Sequence, residues 1–516
     1  MALGRRETER QADLFLLAAQ LPRSPGHVFY QKLNRLLAEA GFDPWVEKLC
    51  EPYYADGRGR PGIPPGAYFR MLLVGYFEGL SLQRGIAWRC SDSLSLRDFL
   101  DIPLGDDSPD HSSLSVIRNR LPLAVHVAIF QWILGLASTK KLLQGKSVGV
   151  DATTLEANAA MKSIVRKGAG EDWKEYLTRL MKEEGLIEED DSPSDAELRR
   201  FDKQRKDKKV SNEQWVSETD PDARIAKLKD GTTHLAYKAE HVVDLESEII
   251  VAAEIYHANQ ADTQTLEDSV QQAQTNLREA GNEAQIKDVV ADKGYHANAT
   301  LTELSEHTPY RTYIPEPELK HERTWTDKPP EQQAAVVANR RRTRDRRGRK
   351  LQRLRSERVE RSFAHVCETG GARRTWLCGI DKLRKRYLIA AAAHNLGCLM
   401  RSLFQIGTPR GLQAFADFAQ ALHLAILALL ARLTSPPRRI VSPRCLTRPN
   451  GRRLETIPAR SNQTLFNRLL GLRVNMSVLA GRENLIRSRC SLARQGFRPA
   501  SCRSPHKTWI LWLYLA

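Results

Sequence analysis

The chain has no CxxC pair and no His cluster at zinc-ligand spacing; its eight cysteines are scattered from Cys50 to Cys502. Reduced thiols in a cytoplasmic protein are expected. A run of eighteen or more apolar residues is also missing, because the best candidate, Leu412 to Leu433, is interrupted by Asp417, Gln420 and His423. No membrane span is expected, and the opening MALGRRETERQADLF carries no apolar signal core. Acid is scarce in one region. Residues 437–516 hold sixteen Arg or Lys against Glu455 and Glu483 alone, so that tail supplies +14 of the formal net charge of +17. An anionic polymer is the expected partner, and the body of the chain is near neutral with local basic patches.

What is present centres on VADKGYHA (290–297), an apolar strand that ends in Asp292 and passes into a charged turn. Such a strand end presents its carboxylate where a metal and a substrate can reach it. At 516 residues the chain is too long for one small core, which predicts two or three domains.

Residues 26–121 read as short helices. After GRGRPGIPPG (57–66), Pro64 and Pro65 suit a helix start, and Phe69, Leu72, Leu73, Tyr76, Phe77 and Leu80 define one buried face. In SPDHSSLSVIRNRL (108–121), Leu114, Ile117 and Leu121 turn inward while Arg118 and Arg120 point elsewhere. Such helices fit a helix-turn-helix-like DNA reader or a plain helical bundle equally well.

An apolar helix (123–136) leads to SVGVDATTLEANA (147–159), where Asp151 shares a strand face with Gly149. A carboxylate on a strand built for burial needs a metal, a basic residue or backbone amides, which makes Asp151 a site candidate. A strand-end Asp capping the next turn is the plainer alternative. Residues 160–230 are charged and read as a solvated insertion holding one modest amphipathic helix, Tyr176 to Met181. THLAYKAEHVVD (233–244) and EIIVAAEIYHAN (248–259) then form a hairpin, and a helix from Thr263 to Ala280 precedes the strand of Asp292. In a mixed sheet the strands of Asp151 and Asp292 can be neighbours.

LRSERVERSFAHV (354–366) has helical spacing, with Val359, Phe363 and Val366 on one seam. Glu360 lies one position round from it, and Glu357 is the competing acid, set further along the basic face. Residues 340–361 carry twelve Arg or Lys against Asp345, Glu357 and Glu360. Such a run suits phosphate contacts, giving salt-sensitive affinity with little sequence information. It includes Arg340, Arg341, Arg342, Arg344, Arg346, Arg347, Arg349, Lys350 and Arg353; Lys238 and Lys293 are weaker candidates. Tyr295 and His296 suit either DNA contact or packing in the turn. Cys378 to Phe404 reads as a final core helix on the sheet.

Together VGVDATTLEAN, VADKGYHA and RVERSFAHV, with HLAYKAEHVVD and HANQADTQTL between them and GRPGIPP and PDHSSLS upstream, resemble the DDE transposases of bacterial insertion sequences. The likeness runs from about Phe29 to about Phe404. It implies an α/β, ribonuclease-H-like mixed sheet flanked by helices, with an all-α N-terminal domain (1–140) that binds DNA ends. The catalytic domain would be 146–408, followed by an amphipathic helix (409–436) and a basic, poorly structured tail (437–516). It further implies that Asp151, Asp292 and Glu360, separated by 141 and 68 positions, are catalytic and hold two Mg²⁺ ions, with Mn²⁺ as a substitute. Double-stranded DNA, both transposon end and target, would be the substrate of a homodimer or larger assembly at the nucleoid. One departure stands out. The Tyr, Arg, Glu, Lys signature of many relatives is not kept, since Ser356 and Cys367 occupy two of its places and Arg353 is the nearest substitute for its arginine.

Overall fold

The computed structural model describes residues 27–410 apart from 56–61, 169, 189, 206–210, 228–230, 319–324 and 327. The expected helix at 409–436 and the basic tail therefore lie outside the described residues.

Seven helices come first: α1 (His27–Glu39), α2 (Phe42–Cys50), α3 (Pro65–Glu78), α4 (Gln83–Asp92), α5 (Leu94–Phe99), α6 (His111–Arg120) and α7 (Leu123–Thr139). Pro65 opens α3 because its missing N–H falls where no helical acceptor exists. The expected single buried face of α3 proves too narrow. Tyr68, Met71 and Val74 are buried along with Phe69, Leu73, Tyr76 and Phe77, so α3 runs through the middle of the bundle. Asp110 caps α6 by accepting from the Ser112 backbone N–H at 3.1 Å.

The sheet follows: β1 (Ser147–Glu156), β2 (Ile164–Arg166), α8 (Trp173–Glu183), α9 (Asp195–Gln204), β3 (Trp215–Ser217), β4 (Arg224–Lys227), β5 (Thr233–Asp244) and β6 (Ile250–His257). β1, β5 and β6 are antiparallel, and β4 extends beside the first part of β5. Helix α10 (Asp262–Glu279) then crosses over to β7 (Asp288–Val290), which pairs parallel to β1, and α11 (Asn298–His307) leads to β8 (Arg311–Tyr313), parallel to β7. A parallel neighbour requires a long crossover, and α10 supplies it. The charged stretch 160–230 is more ordered than its composition suggests. Strands β2 and β3 pair, and α8 and α9 bury a small core of Leu177, Met181, Leu198 and Phe201. Capping boxes at Asp172 and Ser194 start those helices.

Helices α12 (Pro330–Arg344), α13 (Arg346–Phe363) and α14 (Ile380–Phe404) complete the described fold. α13 lies on the β1 and β5 face, and Gly149 lets it come close: a Cβ there would stand 2.7 Å from Leu245 and 2.9 Å from Val359. α14 is buried along most of its length and packs on both α7 and β6, which fixes the helical bundle to the sheet.

Candidate functional site

The parallel register pairs Gly149 with Val290. Two residues further on, Asp151 lies midway along β1 and Asp292 lies just past the end of β7, where one side chain reaches both. Asp151 projects to the α13 face with Gly149 and opposite His241, which stacks on Phe363 at 4.0 Å. Asp292 leaves its strand, caps the turn at Lys293–Tyr295 and accepts from the Lys293 N–H at 2.7 Å, leaving its side chain half exposed.

Between the two aspartates lies a residue that sequence reasoning missed. Arg355, 8% exposed, donates from one terminal nitrogen to Asp151 Oδ2 at 2.8 Å, and its other terminal nitrogen is 4.0 Å from Asp292 Oδ1. Asp151 thus finds two of the three partner types expected for a buried carboxylate, the second being the backbone N–H of Ala152 at 2.8 Å. Burial raises its pKa, and the neighbouring Asp292 charge adds to that, while Arg355 and the Ala152 amide oppose it. The signal for Arg355 was present in the periodicity: it stands four positions before Val359, on the seam that faces the sheet.

Glu360 is exposed and accepts from Ser356 Oγ at 3.0 Å. It shares a helix stripe with Ser356 and Gln352, and the Gln352 amide bonds to the carbonyl of Ala291, next to Asp292, at 3.2 Å. Glu357 is committed elsewhere, to Arg361 at 2.7 Å. Among the described residues no three His, Cys, Asp or Glu side chains are gathered to hold a metal ion. The structure brings Asp151 and Asp292 together and leaves Glu360 outside the pair.

Under the sheet a second polar network holds the Asp292 turn. Glu240 is fully buried on the opposite face and accepts from Tyr295 Oη and Thr265 Oγ1, each at 2.8 Å. Lys238 joins it, with Nζ 2.7 Å from Asp262 and 2.8 Å from Thr265 Oγ1. Lys238, expected at a phosphate, is therefore a correction: it is 6% exposed and serves α10 and the turn. Tyr295 and His296 likewise have buried side chains, so packing is what the turn uses them for.

The basic run divides in the same way. Arg340 pairs with Glu316 at 2.8 Å, Arg342 bonds to Thr312, and Arg347 reaches the buried Asp288 at 2.5 Å. These three brace the end of the sheet; Arg342 is half buried there, whereas Arg347 remains exposed and Arg340 partly so beside their acid partners. Arg118 is half buried below the surface of α6, and Arg120 covers the Tyr54 ring at 4.7 Å. Arg341, Arg344, Arg346, Arg349, Lys350 and Arg353 are exposed, and Lys293 is exposed beside Asp292.

Two family models match this chain. Residues 18–120 match a transposase domain of the DUF772 family and residues 194–396 match the transposase DDE domain, together more than half of the chain. The chain belongs to the insertion-sequence DDE transposases. Neither the curated proteins nor the solved structures yield a match. The ribonuclease-H-like fold of the DDE domain agrees with the mixed sheet, in which β6, β5 and β1 are antiparallel while β1, β7 and β8 are parallel. The family places this transposase in the nuclease and transposase class of enzymes, whose DDE domains generally depend on divalent metal. The Asp151–Asp292 pair fits such an ion: two hard oxygen donors are within 4.0 Å of one guanidinium, which offsets the charge of only one of them. Among the described residues no single helix is long and apolar enough to cross a membrane.

Proposed function

We propose that this transposase cuts DNA at the ends of its element and joins the freed 3′ ends to target DNA, with Asp151, Asp292 and Glu360 as its catalytic carboxylates. The observation that carries the reading is that Arg355 reaches both Asp151 on β1 and Asp292 in the turn just after the adjacent parallel strand β7. Asp151 and Asp292 would hold Mg²⁺, and Glu360 would complete the set by turning away from Ser356. Two such ions supply Lewis acidity at the scissile phosphate and a more acidic attacking hydroxyl. Arg355 offsets part of the charge of the aspartate pair and keeps Asp151 aimed at the α13 face. The exposed cations Arg341, Arg344, Arg346, Arg349, Lys350, Arg353 and Lys293 would contact phosphates on either side of that pair. Because end and target DNA must be held together, a homodimer or larger assembly is the working unit.

Two assays test this. Strand cleavage in Mg²⁺ should vanish in Asp292→Ala, and cleavage that survives the change would remove the catalytic assignment. A donor-to-target joining assay then separates transposition from plain endonuclease action. The position of Glu360 outside the pair favours one rival, a chain that binds ends without chemistry. Wild-type cleavage in Mg²⁺ excludes it.

A further inference from the structure

A cavity of about 290 Å³ opens among α3, α4, α6 and α14, and none of the residues lining it belongs to the carboxylate site. Its size is close to the lower end of the ~300–1,000 Å³ typical of small-molecule sites, far too small for a duplex. Arg84, Arg118, Lys385 and Arg386 line it, and among the described residues no Asp or Glu does. Lys385 has an acid partner, Asp381, at 2.8 Å. Among the described residues Arg386 has only the carbonyl of Gly371, at 2.8 Å. The Nε of Arg118 is shut away from solvent with no acceptor among the described residues. Burial lowers the pKa of both arginines, that of Arg386 to about 10, and the charge of Arg118 adds to the shift at Arg386. Two partly desolvated guanidinium groups that repel one another, with no carboxylate between them among the described residues, are a favourable place for an anion.

The other unpaired groups in the wall describe the rest of the ligand. Tyr68 Oη and Gln83 Nε2 are buried donors without acceptors among the described residues. His126 is fully buried, and its Nδ1 bonds to the Pro122 carbonyl at 3.1 Å. That bond makes Nδ1 the donor and leaves Nε2, which has no partner among the described residues, as an acceptor. Around these lie the rings of Tyr76 and Trp376; Trp376 is 42% exposed at the mouth, with Arg374 over its ring at 4.9 Å. A charged end, a flat apolar body and a hydroxyl or amino donor are the features that the wall complements.

We propose that this cavity binds one nucleotide, with its phosphate on Arg118 and Arg386 and its base against Tyr76 and Trp376. The same chemistry is offered by a free mononucleotide and by the phosphorylated terminal nucleotide of a DNA strand. The proposal goes beyond the transposition reading and does not depend on the carboxylates.

Isothermal titration of the full chain tests it, with thymidine and adenosine monophosphates, inorganic phosphate, and a single-stranded hexamer carrying either a 5′-phosphate or a 5′-hydroxyl. Saturable binding of one ligand per chain is expected, weakened at least tenfold by Arg118→Gln and by Arg84→Glu. Arg84 is exposed at the rim, so Arg84→Glu preserves the fold even if Arg118→Gln does not; circular dichroism checks both. Binding of the mononucleotides identifies a free-nucleotide site, whereas binding of the 5′-phosphorylated hexamer alone identifies a strand end. The proposal fails if inorganic phosphate binds as well as the nucleotides, if nothing binds, or if Arg84→Glu leaves affinity unchanged. Loss of binding in Asp292→Ala also overturns it, because the ligand would then sit at the carboxylates. Intact binding in that variant alongside abolished cleavage separates the two sites.

Discussion

Arg355 donates to Asp151 at 2.8 Å where α13 packs on β1, which ties the helix of Glu360 to the strand of the first aspartate. Truncating one partner of such a pair strands the other charge in a desolvated place. Arg355→Ala should cost about 3 kcal/mol in urea unfolding. The same guanidinium competes with any cation for Asp151, so Mg²⁺ should raise the Tm of Arg355→Gln more than that of the wild type. An equal or smaller rise would show that Arg355 and the metal do not share Asp151.

Glu360 and Glu357 can be separated by one experiment. Glu357 is bound to Arg361, which also holds Glu248, whereas among the described residues Glu360 has only the Ser356 hydroxyl. Glu360→Gln should lower cleavage by more than the ~100-fold that removal of an outer-shell group can cost a metal site. Glu357→Gln should leave the rate within about threefold and cost under about 1 kcal/mol of stability. The reverse pattern would transfer the third carboxylate to Glu357.

The basic run should show two kinds of arginine. Replacing Arg344 and Arg346, both exposed, by Ala should reduce the slope of log K against log salt by about 0.9 for each phosphate that is no longer neutralised. Arg347→Ala should change that slope little. Asp288 keeps Arg311 at 2.9 Å and Ser147 at 3.1 Å, so the same variant should lose only about 1 kcal/mol of stability. Filter binding across a salt series, paired with thermal unfolding, reads both quantities.

Stability should depend on acid through His394. Burial, with His365 and Arg401 nearby, lowers its pKa to about 3, against the opposing bond to the Glu248 carbonyl. The unfolded chain then binds the extra proton from its ordinary pKa of ~6.5 downward, while the folded chain resists. Its contribution is complete above that value and is lost as pH falls toward 3, at about 1.4 kcal/mol per pH unit for one such group. Buried Glu240, Asp244 and Glu254, whose pKa values burial raises, bend the wild-type curve the other way. Comparing wild type with His394→Gln cancels them. The variant should show a slope flatter by up to that amount between about pH 6 and pH 4, and parallel curves would contradict the assignment.

The sequence alone determined the features that depend on neighbours along the chain. Alternation along β1 put Asp151 on the face of Gly149, and helical spacing put Val359 and Phe363 on one seam; both hold because residues two apart on a strand, or three and four apart on a helix, share a face. The resemblance of the segments supplied the family, and the family models agree. The tertiary structure decided how opposite charges were matched. Lys238 went to Asp262 and Glu240, Arg347 went to Asp288, and Arg355 was set between Asp151 and Asp292. An arginine on a basic helix looks the same in sequence whether it meets solvent or a buried carboxylate. Strand register and the approach of α13 over Gly149 select between them, because desolvation makes an unpaired buried charge far costlier than an exposed one.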